Sequence, residues 1–282
     1  MPIKDVLLVL NTYPDPTPDE AVNCAVSIAA QLDARIAAIA CDVQFRMPSS
    51  MFGNALLDLS AIASGETRKS AASATHLLEV FNAQSRKLSI AAQTIREKAY
   101  STEVPLTFAE YARFRDLTIL PVPETDMLDQ WYAETIIFES GRPTLIVPHD
   151  WKKRARVKLE TAVVAWDFSK TAARAVADSI PLLQKAKRTF VVTVANEKEL
   201  DTERSAAELA RHLSHHNIDV TVETVDAAGR DIGTVLSAFC NDRDADFLVM
   251  GAYGHSRLRE FVLGGATRSM LSQPPLPILM SH

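Results

Sequence analysis

The sequence predicts an α/β protein of two tandem, doubly wound units, each built on a five-stranded parallel sheet. Three observations carry that expectation. Short apolar runs alternate with stretches of helical periodicity along the chain. The runs are continuous rather than alternating, the pattern of strands covered on both faces. The order of strands and helices in residues 1–150 then recurs in residues 151–282, so these are read as two domains of one design. Sheets of this kind have right-handed crossovers and bind ligands beyond the carboxyl ends of their strands.

In the first unit, Val6 to Leu10 reads as a strand, and Ala21, Ala25, Ile28 and Leu32 recur at helical spacing after it. A second strand follows at Arg35 to Ala40. Residues Val43 to Ser101 lengthen this unit, with a long helix expected over Glu66 to Ala99 on the apolar positions Leu77, Phe81 and Leu88. The apolar stretch Met51 to Ala63 reads as packing inside the domain, with a lid or partner surface as the alternative. The third strand is expected at Val104 to Phe108, the fourth at Leu117 to Pro121 and the fifth at Thr144 to Val147. The second unit repeats the scheme. Its strands are Thr161 to Trp166, Phe190 to Val194, Val220 to Val225, Phe247 to Met250 and Leu276 to Met280. Ser169 is placed to cap a first helix carrying Ala172, Val176, Ile180 and Leu183.

A length of 282 residues suits two domains of common size, and 47% hydrophobic with 23% charged residues describes a folded globular chain. The net charge of −5 argues against nucleic acid, whose phosphates demand an excess of clustered Lys and Arg. The basic run Lys152, Lys153, Arg154 and Arg156 lies between two strands and reads as a solvated linker. No stretch reaches eighteen apolar residues and no signal-like segment opens the chain, so the expectation is a cytoplasmic protein without a membrane partner. Cys24, Cys41 and Cys240 lack CxxC spacing and fall inside apolar patterns, as buried thiols do. His212, His215 and His216 have no nearby cysteine or acidic ligand and read as a helix end rather than a metal site.

The most informative segment follows the strand-like Phe247-Leu248-Val249. Gly251, Gly254, Gly264 and Gly265 fall within fifteen residues, in a chain with only 9 glycines. Without a Cβ, a backbone can bring its amides close to an anion, and Gly264 opens a helical pattern whose free N–H groups suit phosphate oxygens.

These residues resemble the universal stress protein family, in its tandem two-domain form, and so imply the adenine nucleotide alpha hydrolase-like fold. Nucleotide-binding members show Gly-x-x-Gly, nine residues, then Gly followed by Ser or Thr. Gly251, Gly254 and Gly264 keep that spacing, and Leu258-Arg-Glu-Phe-Val-Leu-Gly264 is similar to the approach to the third glycine. Asp167-Phe-Ser-Lys-Thr-Ala172 is similar to the segment whose aspartate contacts adenosine, and Val194 matches a valine lining the adenine site. The resemblance covers Thr161 to His282 and, more weakly, Ile3 to His149. It implies a site for ATP, AMP or ADP, with Mg accompanying ATP, formed by Asp167, Val194, Gly251, Gly254, Gly264, Gly265 and Thr267. Helix capping by Asp167 and core packing by Val194 are the competing readings. Trp166 either stacks on the base or fills the core.

Gly265 stands where the family carries Ser or Thr, which removes a hydroxyl donor but keeps the amide, a loss of about 0.5–1.5 kcal/mol for one neutral hydrogen bond. Thr267 is the hydroxyl two residues on. His255, Ser256, Arg257 and Arg259 read as surface residues of the spacer. In the first unit the matching loop, Pro121 to Asp129, has no glycine and three carboxylates, which would repel a triphosphate. Asn11 or Thr12 replaces the aspartate there, so this unit is expected to be structural or partner-binding. The fifth strands of the two units are expected to pair within the chain, burying two sheet edges, with further self-association left open. The function implied is nucleotide-dependent interaction with unknown protein partners in a stress response. Slow ATP hydrolysis and a nucleotide-free interaction role are the alternatives. No Walker A lysine or nucleophile–base set is recognisable.

Overall fold

The computed structural model describes residues 2–45, 55–123, 127–149, 158–195, 202–252 and 265–282. The first half contains β1 (Asp5–Leu10), α1 (Asp19–Gln31), β2 (Arg35–Gln44), α2 (Ala55–Lys87), β3 (Ala92–Tyr100), α3 (Val104–Ala112), β4 (Leu117–Val122), α4 (Met127–Ser140) and β5 (Thr144–Pro148). The second contains β6 (Thr161–Ala165), α5 (Lys170–Leu183), β7 (Arg188–Ala195), α6 (Thr202–Ser214), β8 (Val220–Asp226), α7 (Ile232–Asp242), β9 (Phe247–Gly251), α8 (Gly265–Ser272) and β10 (Ile278–Ser281).

All ten strands form one sheet in the order β3-β2-β1-β4-β5-β10-β9-β6-β7-β8. Each half has the same internal order with every pairing parallel, and the halves meet where β5 runs antiparallel to β10. Ile278 lies opposite Ile146 there, and Met280 opposite Thr144. Both strands are buried along their whole length. Left as free edges they would expose apolar side chains beside unpaired backbone groups, and joining them removes both exposures.

Helices cover both faces. Residues of α1, α2, α5 and α6 share one core with Val6, Leu8 and Leu10 of β1, whereas α3, α4, α7 and α8 share the other with Leu7 and Val9. The alternation follows from the two-residue period of a strand, and it explains why β1 is apolar at consecutive positions. Each core runs through both halves.

The halves also share a device at the opposite end of the sheet. Asp116 Oδ2 accepts hydrogen bonds from the amides of Lys4 (2.9 Å) and Asp5 (3.0 Å), just before β4. Asp246, just before β9, accepts from Glu160 (3.0 Å) and Thr161 (2.9 Å) in the same way. A carboxylate thus satisfies strand-start amides that lack a ladder partner.

Two expected elements are corrected. Val104 to Phe108 is not the third strand but the start of α3, and the helix expected to run to Ala99 ends at Lys87. The third strand is β3, inside the segment read as helix. At the sheet edge, β3 buries only Ile95 and Ala99, with Arg96 and Lys98 exposed and Glu97 half-buried against the Tyr111 hydroxyl, so the run has no continuous apolar stretch. In α3 the buried Val104, Phe108 and Ala112 recur every four residues. Pro105 is tolerated there because the first helical turn has no intrahelical partner for its missing N–H. Of the Met51 to Ala63 stretch, Ile62 is exposed on α2 rather than packed within the core.

Candidate functional site

In the second half β6 lies between β7 and β9. The chain leaves β6 toward α5 on one face and leaves β9 toward the face that carries α8. Such a reversal opens a crevice beyond the carboxyl ends of the two strands. Asp167 follows β6, Val194 is the next-to-last residue of β7, and Gly251 ends β9. With neighbouring strands about 4.8 Å apart, three consecutive strands bring these positions to within about 10 Å of each other.

The turn after β6 is built by side chains. Asp167 Oδ1 accepts from the Ser169 amide (2.9 Å), and Ser169 Oγ accepts from the Ala172 amide (3.1 Å), capping α5. The cap is therefore Ser169, and Asp167, exposed at the mouth, shapes the turn that leads to it. Between them Phe168 sits at φ 61° and is 69% exposed. Trp166 is buried in the first core, its amide donating to the Val192 carbonyl (2.9 Å) and its Nε1 to Ser205 Oγ of α6 (2.8 Å). The structure thus assigns Trp166 to the core.

Gly251 has a contact that sequence did not reveal. A Cβ built on it would lie 2.5 Å from the Thr171 carbonyl carbon and 2.6 Å from Thr171 Oγ1, and closer still to the Ala172 amide nitrogen. Its missing side chain lets β9 pass against the first turn of α5. Gly265, the first residue of α8, is different: a Cβ there would meet nothing nearer than Asp231 Oδ1 at 3.8 Å. Asp231 caps α7, its Oδ2 accepting from the Thr234 amide (3.1 Å), so one carboxylate stands beside the start of α8. Thr267 is buried one turn into α8. Val194 is half-buried, pairs with Val225 of β8 and packs against the second core. Gly254, Gly264, His255, Ser256, Arg257 and Arg259 lie outside the described residues, as does the basic run at 152–156.

At the matching place in the first half, hydroxyl groups bond to one another and to the backbone. Cys41 lies two residues beyond Ile39, the partner of Val9, as Val194 lies two beyond Val192, the partner of Ala165. Thr12 Oγ1 donates to the Cys41 carbonyl (2.7 Å) and lies 2.8 Å from Ser70 Oγ of α2, which in turn accepts from the Val43 amide (2.9 Å). The Asn11 amide donates to Thr17 Oγ1, and the Thr17 amide donates back to the Asn11 carbonyl. Thr12 and Ser70 are buried, so these two hydroxyls are consumed within the protein. Of the acidic loop, residues 124–126 lie outside the described residues.

Burial pushes the thiols of Cys24, Cys41 and Cys240 up to about 12, which leaves them protonated and without nucleophilic character. His212 and His216 approach with ring centroids 5.0 Å apart, but among the described residues no group of three His, Cys, Asp or Glu is placed to hold a metal ion. No helix among them is long and apolar enough to cross a membrane. Phe168, Ser205 and Asp231 are site neighbours that sequence reading did not single out. Asp231 is legible as a cap three residues before Thr234, but its position beside α8 is tertiary.

The sequence profile of the universal stress protein family matches residues 158–282. Among solved structures, a universal stress protein from Archaeoglobus fulgidus DSM 4304 superposes with a TM-score of 0.70, covering 98% of this chain and 95% of its own at 14% identity. A functionally unknown protein from Pseudomonas aeruginosa PAO1 gives a TM-score of 0.55, covering 99% and 92% at 15% identity. Comparison with curated protein sequences yields no match. Over residues 158–282 the chain matches the universal stress protein family by sequence, and along its length it has the fold of a solved universal stress protein.

Proposed function

We propose that the chain binds a single adenine nucleotide, ATP, ADP or AMP, in the crevice beyond β6, β7 and β9, and that occupancy changes its affinity for protein partners in a stress response. The observation that carries this reading is the asymmetry between two halves of one design. Asp167 stands exposed at the mouth of the second crevice, whereas at the matching place in the first half the Thr12 and Ser70 hydroxyls are buried and bonded to each other. One Asp167 oxygen holds the turn, and the other is the acceptor for a ribose hydroxyl. Val194 supplies an apolar wall to the base. Gly254, Gly264 and Gly265 supply amides to the phosphates, helped by the positive end of α8. Gly251 lets β9 and α5 close up beneath them. Thr267 is the remaining hydroxyl of that turn, and a Thr267→Val variant that binds ATP as tightly as the parent removes it from the set. Mg accompanies ATP as its counterion, and Asp231 is a carboxylate beside Gly265 at the start of α8.

The first half serves as a structural partner that completes the sheet through β5 and β10. The test is titration calorimetry on protein stripped of small molecules, with ATP, ADP and AMP in turn. The expected result is one site per chain, weakened at least ten-fold by Asp167→Ala. Absence of heat with all three nucleotides overturns the proposal.

A further inference from the structure

We infer that Phe168 is the stacking platform for the purine base, a specificity-determining residue that the glycine and aspartate pattern does not include. The inference rests on the proposed nucleotide site.

Three observations converge on this residue. Among the described residues six non-glycine positions have positive φ, and the other five are Asp33, Ser89, Asn217, Ala228 and Asp244. Those are small or polar side chains, several of the types that tolerate left-handed backbone in turns. A phenylalanine there is a steric outlier, and such outliers persist where function holds them. Second, its ring is 69% exposed although Ala162 and Val164 of β6 and Ala172, Ala175 and Val176 of α5 on either side of it in the chain are buried in the first core. Burial would have been favourable for so large an apolar group, yet the Asp167–Ser169 turn aims it outward.

Third, its direction is set. The Phe168 and Trp166 ring centroids are 6.1 Å apart at 72°, an edge-to-face contact. Trp166 is itself tied to β7 through the Val192 carbonyl and to α6 through Ser205. Phe168 therefore leans on a fixed indole, beside Asp167 at the crevice mouth. An exposed carboxylate at Asp167 with an exposed aromatic ring next to it suits a ligand with hydroxyls attached to a flat, heteroaromatic base. Stacking on an aromatic side chain is tolerant of base identity but absent for a bare phosphate.

The experiment compares wild type with Phe168→Gly and Phe168→Tyr, reading the dissociation constants of ATP and of inorganic tripolyphosphate by calorimetry, with thermal unfolding as the control for folding. Glycine accepts the positive φ, so Phe168→Gly keeps the turn and is expected to unfold at or near the wild-type temperature. Its affinity for ATP is expected to fall about ten-fold or more, with tripolyphosphate binding unchanged, and Phe168→Tyr is expected to stay within about three-fold of wild type. A merely structural role would move both ligands together. If Phe168→Gly binds ATP as wild type does, or loses ATP and tripolyphosphate equally, the platform is refuted while the nucleotide site stands. If wild type binds no adenine nucleotide, both readings fall.

Discussion

Replacing Gly251 with alanine is expected to destabilise the protein without touching a ligand. The added methyl would stand 2.5 Å from the Thr171 carbonyl carbon and 2.6 Å from Thr171 Oγ1. Carbon contacts relax at about 3.5–4.0 Å, so roughly 1 Å of displacement has to be found. Neither side yields easily. Strand β9 is held on both sides, by β6 through Val164 and Val249 and by β10 through Leu279 and Val249. The first turn of α5 is held by the Ser169 cap on the Ala172 amide. Overpacking of this kind costs about 1–3 kcal/mol, and loss of the cap about 1 kcal/mol more, giving about 2–4 kcal/mol. At roughly 2–4 °C per kcal/mol for domains of this size, the unfolding temperature should drop by about 4–16 °C. Circular dichroism melts of Gly251→Ala against Gly265→Ala decide the matter. The second variant adds its methyl to open space and should stay within about 0.5 kcal/mol of wild type. A Gly251→Ala protein that melts with wild type but has lost nucleotide affinity would show that this glycine serves ligand access and that the packing argument is wrong.

Other outcomes follow from the same geometry. Asp246→Ala leaves the buried Thr161 amide without its acceptor and should cost about 2–3 kcal/mol in urea unfolding, and Asp116→Ala should act likewise at the matching place. Thr12→Val removes the hydroxyl's bonds to the Cys41 carbonyl and Ser70, both of which keep other partners, and should cost about 0.5–1.5 kcal/mol with no effect on nucleotide titration. Gly265→Ser has room for its hydroxyl, and ATP affinity should rise by roughly two- to ten-fold, the equivalent of one neutral hydrogen bond. The three cysteines should resist a disulfide reagent at pH 8 until urea is added. Their folded pKa is raised to about 12 above an unfolded value of about 8.5. Their contribution to stability is therefore complete below about pH 8.5 and is lost as pH rises toward 12, which a urea series from pH 7 to 11 would register.

The sequence by itself determined the repeated α/β plan and the central strands. A strand covered on both faces carries a continuous apolar stretch, and β1, β2, β4, β6, β7 and β9 each contain one. The two edges show where that signal ends. Val220-Thr-Val-Glu-Thr-Val225 was legible as β8 because branched side chains favour the pleated backbone. Ala92 to Tyr100 was not, since Arg96, Glu97, Lys98 and Ala99 are helix formers and an edge strand exposes most of its side chains. At the site, Asp167, Val194 and the glycines were readable as a spaced pattern. Only the tertiary structure decided that Gly251 packs against Ala172, that Asp231 stands beside Gly265, and that Thr12 bonds to Ser70. Each of those contacts joins residues far apart in the chain, and a one-dimensional pattern carries periodicity and spacing but not which distant elements the sheet order makes neighbours.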